Sequence, residues 1–289
     1  MLTLLAPAKI NVTLEILSRR ADGYHALRSL MLPIALYDRI EIEPSAAPHF
    51  VSSDAALMRD NLVMRAYVAC AADAAHAIRL EKRIPVGGGL GGGSSDAAAI
   101  LRAAMAGDLG PGAECDWLAA AQLLGSDVPF FLSGTGALVE GYGERVTPIG
   151  SLPPWWVVVA RPHASVATAD AYRRLDAARE IEGAPSRARS TSVSLTAVDA
   201  LQRRDFAALA RLLTNDFHDV ILAAYPPIER ARAALHAAGA RHVLLSGSGS
   251  CVFAIFEREC AAREVAAGVA ADACDALFTV PLHCDAAWR

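Results

Sequence analysis

Between Gly87 and Gly93 the chain carries six glycines, with only Leu90 among them. In ordered backbone each Gly costs roughly 0.5–1 kcal/mol against Ala, so six cost about 3–6 kcal/mol. Such a run persists where the backbone must adopt positive φ or where a ligand has to approach it closely. The run opens directly into a helix signal. Ser94 or Ser95 reads as the N-cap, and Ala97–Met105 is rich in Ala, Leu and Ile with neither Gly nor Pro. A glycine loop leading into a helix N-terminus is an anion site, because free N–H groups point outward and the helix end carries about half a positive charge. Phosphate is the natural ligand.

Other motifs fit less well. A Walker A loop needs Lys after its last Gly, and here Ser94 follows Gly93. Gly87-x-Gly89-x-x-Gly92 matches the dinucleotide fingerprint, but so glycine-rich a run matches it almost automatically, and a long segment precedes it where that fold starts with the fingerprint. A flexible linker is disfavoured by tight flanks, a strand-like Lys82–Val86 and the helix.

The 289 residues suggest one large domain or two ordinary ones, and 54% hydrophobic content suffices for full cores. A net charge of −4 gives no general basic field for nucleic acid. The six cysteines are scattered without a Cys-x-x-Cys pair, which predicts buried thiols in a reducing cytoplasm. A basic leader and an apolar run of membrane-spanning length are both missing, so neither secretion nor a membrane is expected.

Along the chain, Leu2–Leu5, Ile10–Ile16, Leu30–Leu36 and Asp38–Glu43 read as strands, the second half-buried by its alternation. Asn61–Ile78 and Cys115–Leu124 read as helices, and Gly134–Gly150 as a hairpin. Ser151-Leu-Pro-Pro is the best boundary, dividing 1–150 from 151–289. Beyond it the pattern predicts a buried strand at Trp155–Ala160, a helix from Val166, a polar mobile loop over Ala177–Ser192 and helices at Ser194–Leu201, Phe206–Leu213 and Pro227–Ala238. Two strands flanking Ser246–Gly249, a helix at Glu257–Ala270 and a strand at Ala276–Val280 close the chain.

Four spots carry chemistry, each with a plain alternative. Lys9 and Asn11 lie on the polar side of the Ile10–Ile16 strand, where a lone Lys is ordinarily solvated. Tyr24 and His25 follow an Asp-Gly turn, as packed loop anchors or as a stacking ring and a hydrogen-bonding imidazole for a heterocycle. Asp127 precedes Val-Pro-Phe-Phe, as a turn or cap residue or as a desolvated carboxylate that needs a cation, for which Lys9 is a candidate. Ser246-Gly247-Ser248-Gly249 is a hairpin turn or a second loop of ligand-binding N–H groups.

Pro85, Gly89, Leu90, Ser94 and Ser95 resemble the nucleotide loop of the galactokinase, homoserine kinase, mevalonate kinase and phosphomevalonate kinase superfamily. Pro7-Ala-Lys-Ile-Asn, Arg20-Ala-Asp-Gly-Tyr-His, Gly125-Ser-Asp-Val-Pro-Phe-Phe and Leu245-Ser-Gly-Ser-Gly-Ser-Cys-Val-Phe are similar, in order, to motifs of one family within it, the 4-diphosphocytidyl-2-C-methyl-D-erythritol kinases of the non-mevalonate isoprenoid route. The resemblance implies an α+β, two-domain small-molecule kinase fold with the active site in the cleft between domains. It implies ATP with Mg²⁺, whose ligands it leaves unassigned, a cytidyl substrate, and a monomer or weak homodimer. By the same resemblance Asp127 is the base and Lys9 its charge partner. Asn61, Lys82, Pro85, Val86, Gly87, Gly88, Gly89, Leu90, Gly91, Gly92, Gly93, Ser94 and Ser95 serve the nucleotide. Asn11, Tyr24, His25, Tyr172, Ser246, Gly247, Ser248 and Gly249 serve the substrate, with Tyr24 and Tyr172 stacking on cytosine and His25 reading its edge. Ser246 stands where the family often has Thr, and Asp96 where some members have Asn. A superfamily kinase for another alcohol, or a non-catalytic binding protein on this fold, are the rival readings.

Overall fold

The computed structural model describes residues 1–19, 25–70, 75–110, 116–182 and 192–282. In chain order its elements are β1 (Leu2–Arg19), β2 (His25–Pro44), β3 (His49–Ser52), α1 (Leu62–Cys70), β4 (His76–Glu81), α2 (Gly92–Met105), α3 (Trp117–Leu124), α4 (Val128–Leu132), β5 (Ala137–Gly141), β6 (Arg145–Pro148), β7 (Trp156–Arg161), α5 (Thr168–Glu182), α6 (Val193–Gln202), α7 (Phe206–Leu212), β8 (Thr214–Asn215), α8 (His218–Ala224), α9 (Pro226–Ala237), β9 (Leu244–Leu245), β10 (Val252–Phe256), α10 (Glu259–Gly268) and β11 (Ala276–Pro281). One sheet runs β3-β4-β2-β1-β8, with β5 paired to β2 and β6 to β5, and a second runs β11-β7-β10-β9.

The first sheet is built on two long strands. The sequence breaks β1 at Pro7 and β2 at Tyr37, yet each is continuous. Register shifts at Pro7/Ala8 and Asn11/Thr13 absorb the irregularities as bulges. β1 is also buried on both sides, contrary to the half-buried reading: Ile10, Val12 and Leu14 are buried, and so are Lys9, Asn11, Thr13 and Glu15. Helices α1, α2 and α4 pack on this sheet through Val63, Ala97, Ile100, Leu101 and Phe131. A second core joins β1 and β2 to the second sheet and α6 through Ile10, Leu32, Val157, Ala197 and Phe253. A third lies between the second sheet and α5, α8, α9 and α10.

Of the helix expected over Asn61–Ile78, Leu62–Cys70 is helical as α1, while His76–Ile78 belong to β4 instead. There Ile78 and Leu80 alternate into the core, a period-two signal masked by the Ala-rich surroundings. The strand expected at Lys82–Val86 is irregular. Asp38 takes the Arg83 and Ile84 N–H groups with Oδ1 (2.6 and 2.9 Å), and Pro85 has none to give, so these donors never join a ladder. Helix α2 starts earlier than expected: its N-cap is Gly91 in the left-handed region, so Ser94 and Ser95 lie inside the helix. α5 continues to Glu182, well into the stretch read as a loop. The four described cysteines are free, and only Cys70 and Cys251 are buried as expected, for Cys260 is exposed and Cys274 half-buried.

Candidate active site

The glycine run is braced from behind by its carbonyls. Gly87 O accepts from Ser250 N (3.3 Å), Gly88 O from Cys251 N (3.0 Å) and Leu90 O from Lys9 N (2.9 Å). Gly89 O accepts from Ser246 Oγ (3.0 Å). The turn before β10 and the strand β1 thus hold the loop's back. Its front meets the first turn of α2, whose N–H groups have no intrahelical acceptor. Gly89 has φ +74°, and a Cβ there would overlap Ser246 O. Leu90 anchors the run in the core. A cavity of about 310 Å³ is lined by Asn61, Lys82, Pro85 to Ser94 and Asp96. It shares Asp60 and Asn61 with a more apolar pocket of about 710 Å³ between α1 and α3, bordered by Met64, Val68 and Leu124, which no sequence motif marked. Ser95 is buried and does not line the cavity.

Two residues assigned to the nucleotide are otherwise engaged. Asn61 caps α1, its Oδ1 accepting from Val63 N (2.8 Å) and its Nδ2 donating to Leu57 O (3.0 Å). Lys82 is buried between Asp38 and Asp96, and its ammonium donates to both. Burial alone would lower the Lys82 pKa, but the charges of Asp96 and Asp38 outweigh it and hold Lys82 above its ordinary range. Asp96 is pushed up to about 8, first by burial and then by the charge of Asp38, against the pull of Lys82. Asp38 ties together β2, the entry to the glycine run and, through Lys82 and Asp96, the N-terminal half of α2. Nothing near Asp38 in the sequence announced this role.

Lys9 lies beneath the loop. A Cβ on Gly91 would stand 3.1 Å from Lys9 Cγ, and one on Gly247 3.2 Å from Lys9 Nζ. The side chain is buried, so the solvated reading fails. Nζ donates to Asn11 Oδ1 (2.6 Å) and stands 3.6 Å from Asp127 Oδ2. Burial lowers the Lys9 pKa, and the charge of Asp127 opposes that shift. Asp127 occupies the N-cap position of α4, but its carboxylate makes no cap hydrogen bond. It is 28% exposed and turned to Lys9. The short helix was not expected from the sequence. Pro129 is tolerated in its first turn, where no intrahelical donor is needed.

A cleft of about 780 Å³ is bounded by His25, Tyr142, Thr168, Tyr172, Asp176 and Ser126, the residue before Asp127. His25 and Tyr172 stack, and His25 Nε2 meets Asp176 Oδ1 at 2.8 Å. The Tyr172 phenol is pushed up to about 12 by burial and by the charges of Asp127 and Asp176, so it stays protonated. Tyr24, expected to stack here, lies outside the described residues, as do Arg20–Gly23. Of the third motif, Ser246 is fully buried and faces the glycine loop, while Ser248 Oγ meets Thr168 Oγ1 at 3.1 Å on the cleft's rim. Asn215 fixes that turn, donating to Leu245 O and Gly247 O at 2.8 Å each. It is another residue without a local signal.

A glycine loop at a helix N-terminus, a buried lysine paired with a partly exposed aspartate, and a neighbouring cleft, set on these two sheets, fit a small-molecule kinase of the GHMP class. The GHMP kinases N terminal domain profile matches residues 61–135, and the GHMP kinases C terminal profile matches 197–275. The chain is 39% identical to a 4-diphosphocytidyl-2-C-methyl-D-erythritol kinase of Symbiobacterium thermophilum, over 89% of this chain and 91% of that one. It is 41% identical to the enzyme of that name from Solidesulfovibrio magneticus, over 87% of each. A crystal structure of 4-(cytidine 5'-diphospho)-2C-methyl-D-erythritol kinase superposes with a TM-score of 0.79 at 37% identity, covering 97% of this chain and 99% of that one. An L. major mevalonate kinase shares the fold, with a TM-score of 0.70 at 14% identity over 99% of this chain and 97% of that one. The chain belongs to the 4-diphosphocytidyl-2-C-methyl-D-erythritol kinase family.

Proposed function

We propose that the protein transfers the γ-phosphoryl group of ATP to the 2-hydroxyl of 4-diphosphocytidyl-2-C-methyl-D-erythritol, within non-mevalonate isoprenoid synthesis. The observation that carries this reading is the Lys9–Asp127 pair: Lys9 packs under Gly91 of the glycine run, and the charge of Asp127, next in the chain to Ser126 of the cleft, acts on Tyr172. The names of the relatives support the choice of substrate.

In this reading the phosphates lie on the backbone of Gly87–Gly93 and the first turn of α2, and the base lies toward the pocket that shares Asp60 and Asn61. Asp127 takes the proton of the substrate hydroxyl. The freed oxygen bonds to the γ-phosphorus, the bond from that phosphorus to the β–γ bridging oxygen breaks, and ADP leaves. Lys9 offsets the negative charge at the transferred group. Positioning and charge stabilisation supply most of the catalysis in such transfers. Among the described residues no group of three or more His, Cys, Asp or Glu side chains is arranged for a metal. Among those residues the buried side-chain atoms without a hydrogen-bond partner are Ser95 Oγ and Asp96 Oδ1, in the N-terminal half of α2, and of the two Asp96 lines the glycine-loop cavity, which fits a polar ligand there. Mg²⁺ would come with the nucleotide, held mainly by phosphate oxygens and water, and would neutralise charge on the phosphates.

The cytidyl group would occupy the His25–Tyr172 cleft. The reading keeps residues 1–150 and 151–289 as the two domains and takes the protein as a cytoplasmic monomer or weak homodimer. ADP release with a panel of alcohols tests it. Turnover with the cytidyl substrate, and little with homoserine or mevalonate, is the expected result. Equal turnover with homoserine or mevalonate would leave only a superfamily kinase of other specificity.

A further inference from the structure

A line of buried polar groups leads away from the reacting pair, and the direction of every hydrogen bond in it is fixed. The Lys9 ammonium can only donate, and it donates to Asn11 Oδ1 at 2.6 Å. The Asn11 amide nitrogen therefore faces the other way, where Nδ2 donates to Ser29 Oγ at 2.9 Å. Ser29 can accept because its one hydroxyl proton goes to Thr13 O, at 2.6 Å. Lys9 is 3% exposed, Asn11 1% and Ser29 0%, so water does not reach in to replace a missing partner. Ser29 lies on β2, across from β1, and belongs to none of the sequence motifs.

We propose that Ser29 is a positioning residue for phosphoryl transfer: by accepting from the Asn11 amide it holds the Asn11 oxygen on Lys9 and so holds the ammonium beside Asp127. This rests on the reading of Lys9 and Asp127 given above. Lys9 has Asn11 Oδ1 and Asp127 Oδ2 as its close side-chain oxygens. Asp127, from α4, is the charged group acting on it. The glycine run and the turn at Gly247 face it with backbone atoms, and Phe131 of α4 packs beside Gly91 with its ring. Without the Ser29 hydroxyl the amide nitrogen is an unpaired buried donor, and the amide is free to rotate. Its –NH₂ would then oppose the ammonium, which would lose an acceptor and release its proton more easily.

The line branches beyond Ser29, and the branch supplies a control. Thr13 Oγ1 accepts from Leu30 N (2.9 Å) and meets Ser194 Oγ (2.7 Å), and Ser194 donates to Glu15 (2.6 Å). Thr13→Val removes a buried hydroxyl close by but keeps the carbonyl that orders Ser29.

The test is steady-state kinetics against pH, with melting temperatures, on Ser29→Ala, Ser29→Cys, Thr13→Val and Lys9→Met. In Ser29→Ala, kcat should fall about 10- to 100-fold, the range for losing a hydrogen bond to a charged group. KM for ATP and for the alcohol should stay within about threefold, and the basic limb of the kcat profile should move to lower pH. Ser29→Cys, a weak acceptor of similar shape, should lie between, and it carries the measurement if the Ala variant does not fold. Thr13→Val should melt earlier with the limb unmoved. The proposal is overturned if Ser29→Ala, or Ser29→Cys in its place, keeps the wild-type kcat and limb, or changes KM alone. If Lys9→Met keeps wild-type turnover, the reading of Lys9 itself falls and the Ser29 proposal with it. If Lys9→Met is inactive and Ser29→Ala is not impaired, only the positioning role falls.

Discussion

The rings of His25 and Tyr172 lie against each other, centroids 4.9 Å apart and planes inclined by 22°. A third ring between them would need a gap of about 7 Å, two contacts of about 3.5 Å each. In this arrangement a cytosine bound as proposed would stack on the outside of the pair. His25 also has one edge committed, since Nε2 is on Asp176. Only Nδ1 is left to read a base.

Tyr172→Ala should therefore remove a stacking surface and loosen His25 together. Stacking on one aromatic ring is worth about 1–3 kcal/mol in nucleobase complexes. The dissociation constant of the cytidyl substrate should rise roughly tenfold or more, with the ATP constant nearly unmoved. Calorimetric titration of both ligands into one folded variant checks this. A parallel loss for both ligands would mean that the ring only packs the cleft.

Asp127→Asn isolates chemistry from folding. Losing a real N-cap costs about 1 kcal/mol. Asp127 makes no cap hydrogen bond, so the melting temperature should change little. Turnover should fall about 10²–10⁴-fold, the usual contribution of a positioned base, while ATP still binds. Near wild-type turnover would make Asp127 a structural residue.

The glycines separate in the same way. A side chain on Gly91, at φ +72°, would meet the Phe131 ring at 2.9 Å and Lys9 Cγ at 3.1 Å. Gly91→Val should abolish ATP binding and disturb Lys9 as well, so its failure has two causes. Gly93 is different, for it sits in the first turn of α2 and an added Cβ meets only Leu62, at 3.5 Å. Gly93→Ala should stabilise the helix by up to about 1 kcal/mol. If phosphate comes close to that turn, the same variant should bind ATP more weakly. A higher melting temperature with unchanged ATP affinity would move the phosphates away from Gly93.

These variants also mark what was legible beforehand. The glycine run points to an anion from its own neighbours in sequence, whereas Lys9 and Asp127 stand in short motifs whose roles come only with the family resemblance. Asp38, Ser29, Asp176 and Asn215 stand in no such motif. Each works on partners far along the chain: Asp38 on Lys82, Ser29 on Asn11, Asp176 on His25 and Asn215 on Gly247. No local pattern encodes such pairs, because tertiary structure joins them: the β1–β2 register for Ser29, the packing of α5 for Asp176, and the placing of β8 and of the chain after β4 for Asn215 and Asp38. The misread helix tail at His76–Ile78 has another cause. Alanine raises helix propensity throughout the region, and only burial of Ile78 and Leu80 decides for a strand.

Asp96 turns one of these hidden contacts into a pH dependence. Its carboxyl has an ordinary value of 3.8 and is raised to about 8 in the fold by burial and by Asp38. Below the ordinary value both folded and unfolded chains hold the proton, and Asp96 adds no difference. Between there and about 8 the unfolded chain releases the proton while the folded chain keeps it, so this contribution to stability declines as pH rises through the window. Above it both forms are ionised and the decline stops. Lys82 does not offset this, for a raised lysine loses its stabilising share only at still higher pH, beyond its ordinary 10.5. Glu15 does not either. Burial pushes Glu15 up, but donors from Ser194, Ser192 and Val193 outweigh it and hold the group below its ordinary 4.5, so its share is already complete at neutral pH. Asp96→Asn has no proton to release. Its unfolding free energy, from urea melts taken between about pH 6 and pH 9, should stay flatter than that of the wild type, with the two curves converging toward the alkaline end or crossing there. Parallel curves would mean that Asp96 is already ionised in the fold at pH 6, and that Lys82 neutralises it more completely than its burial and the nearness of Asp38 allow.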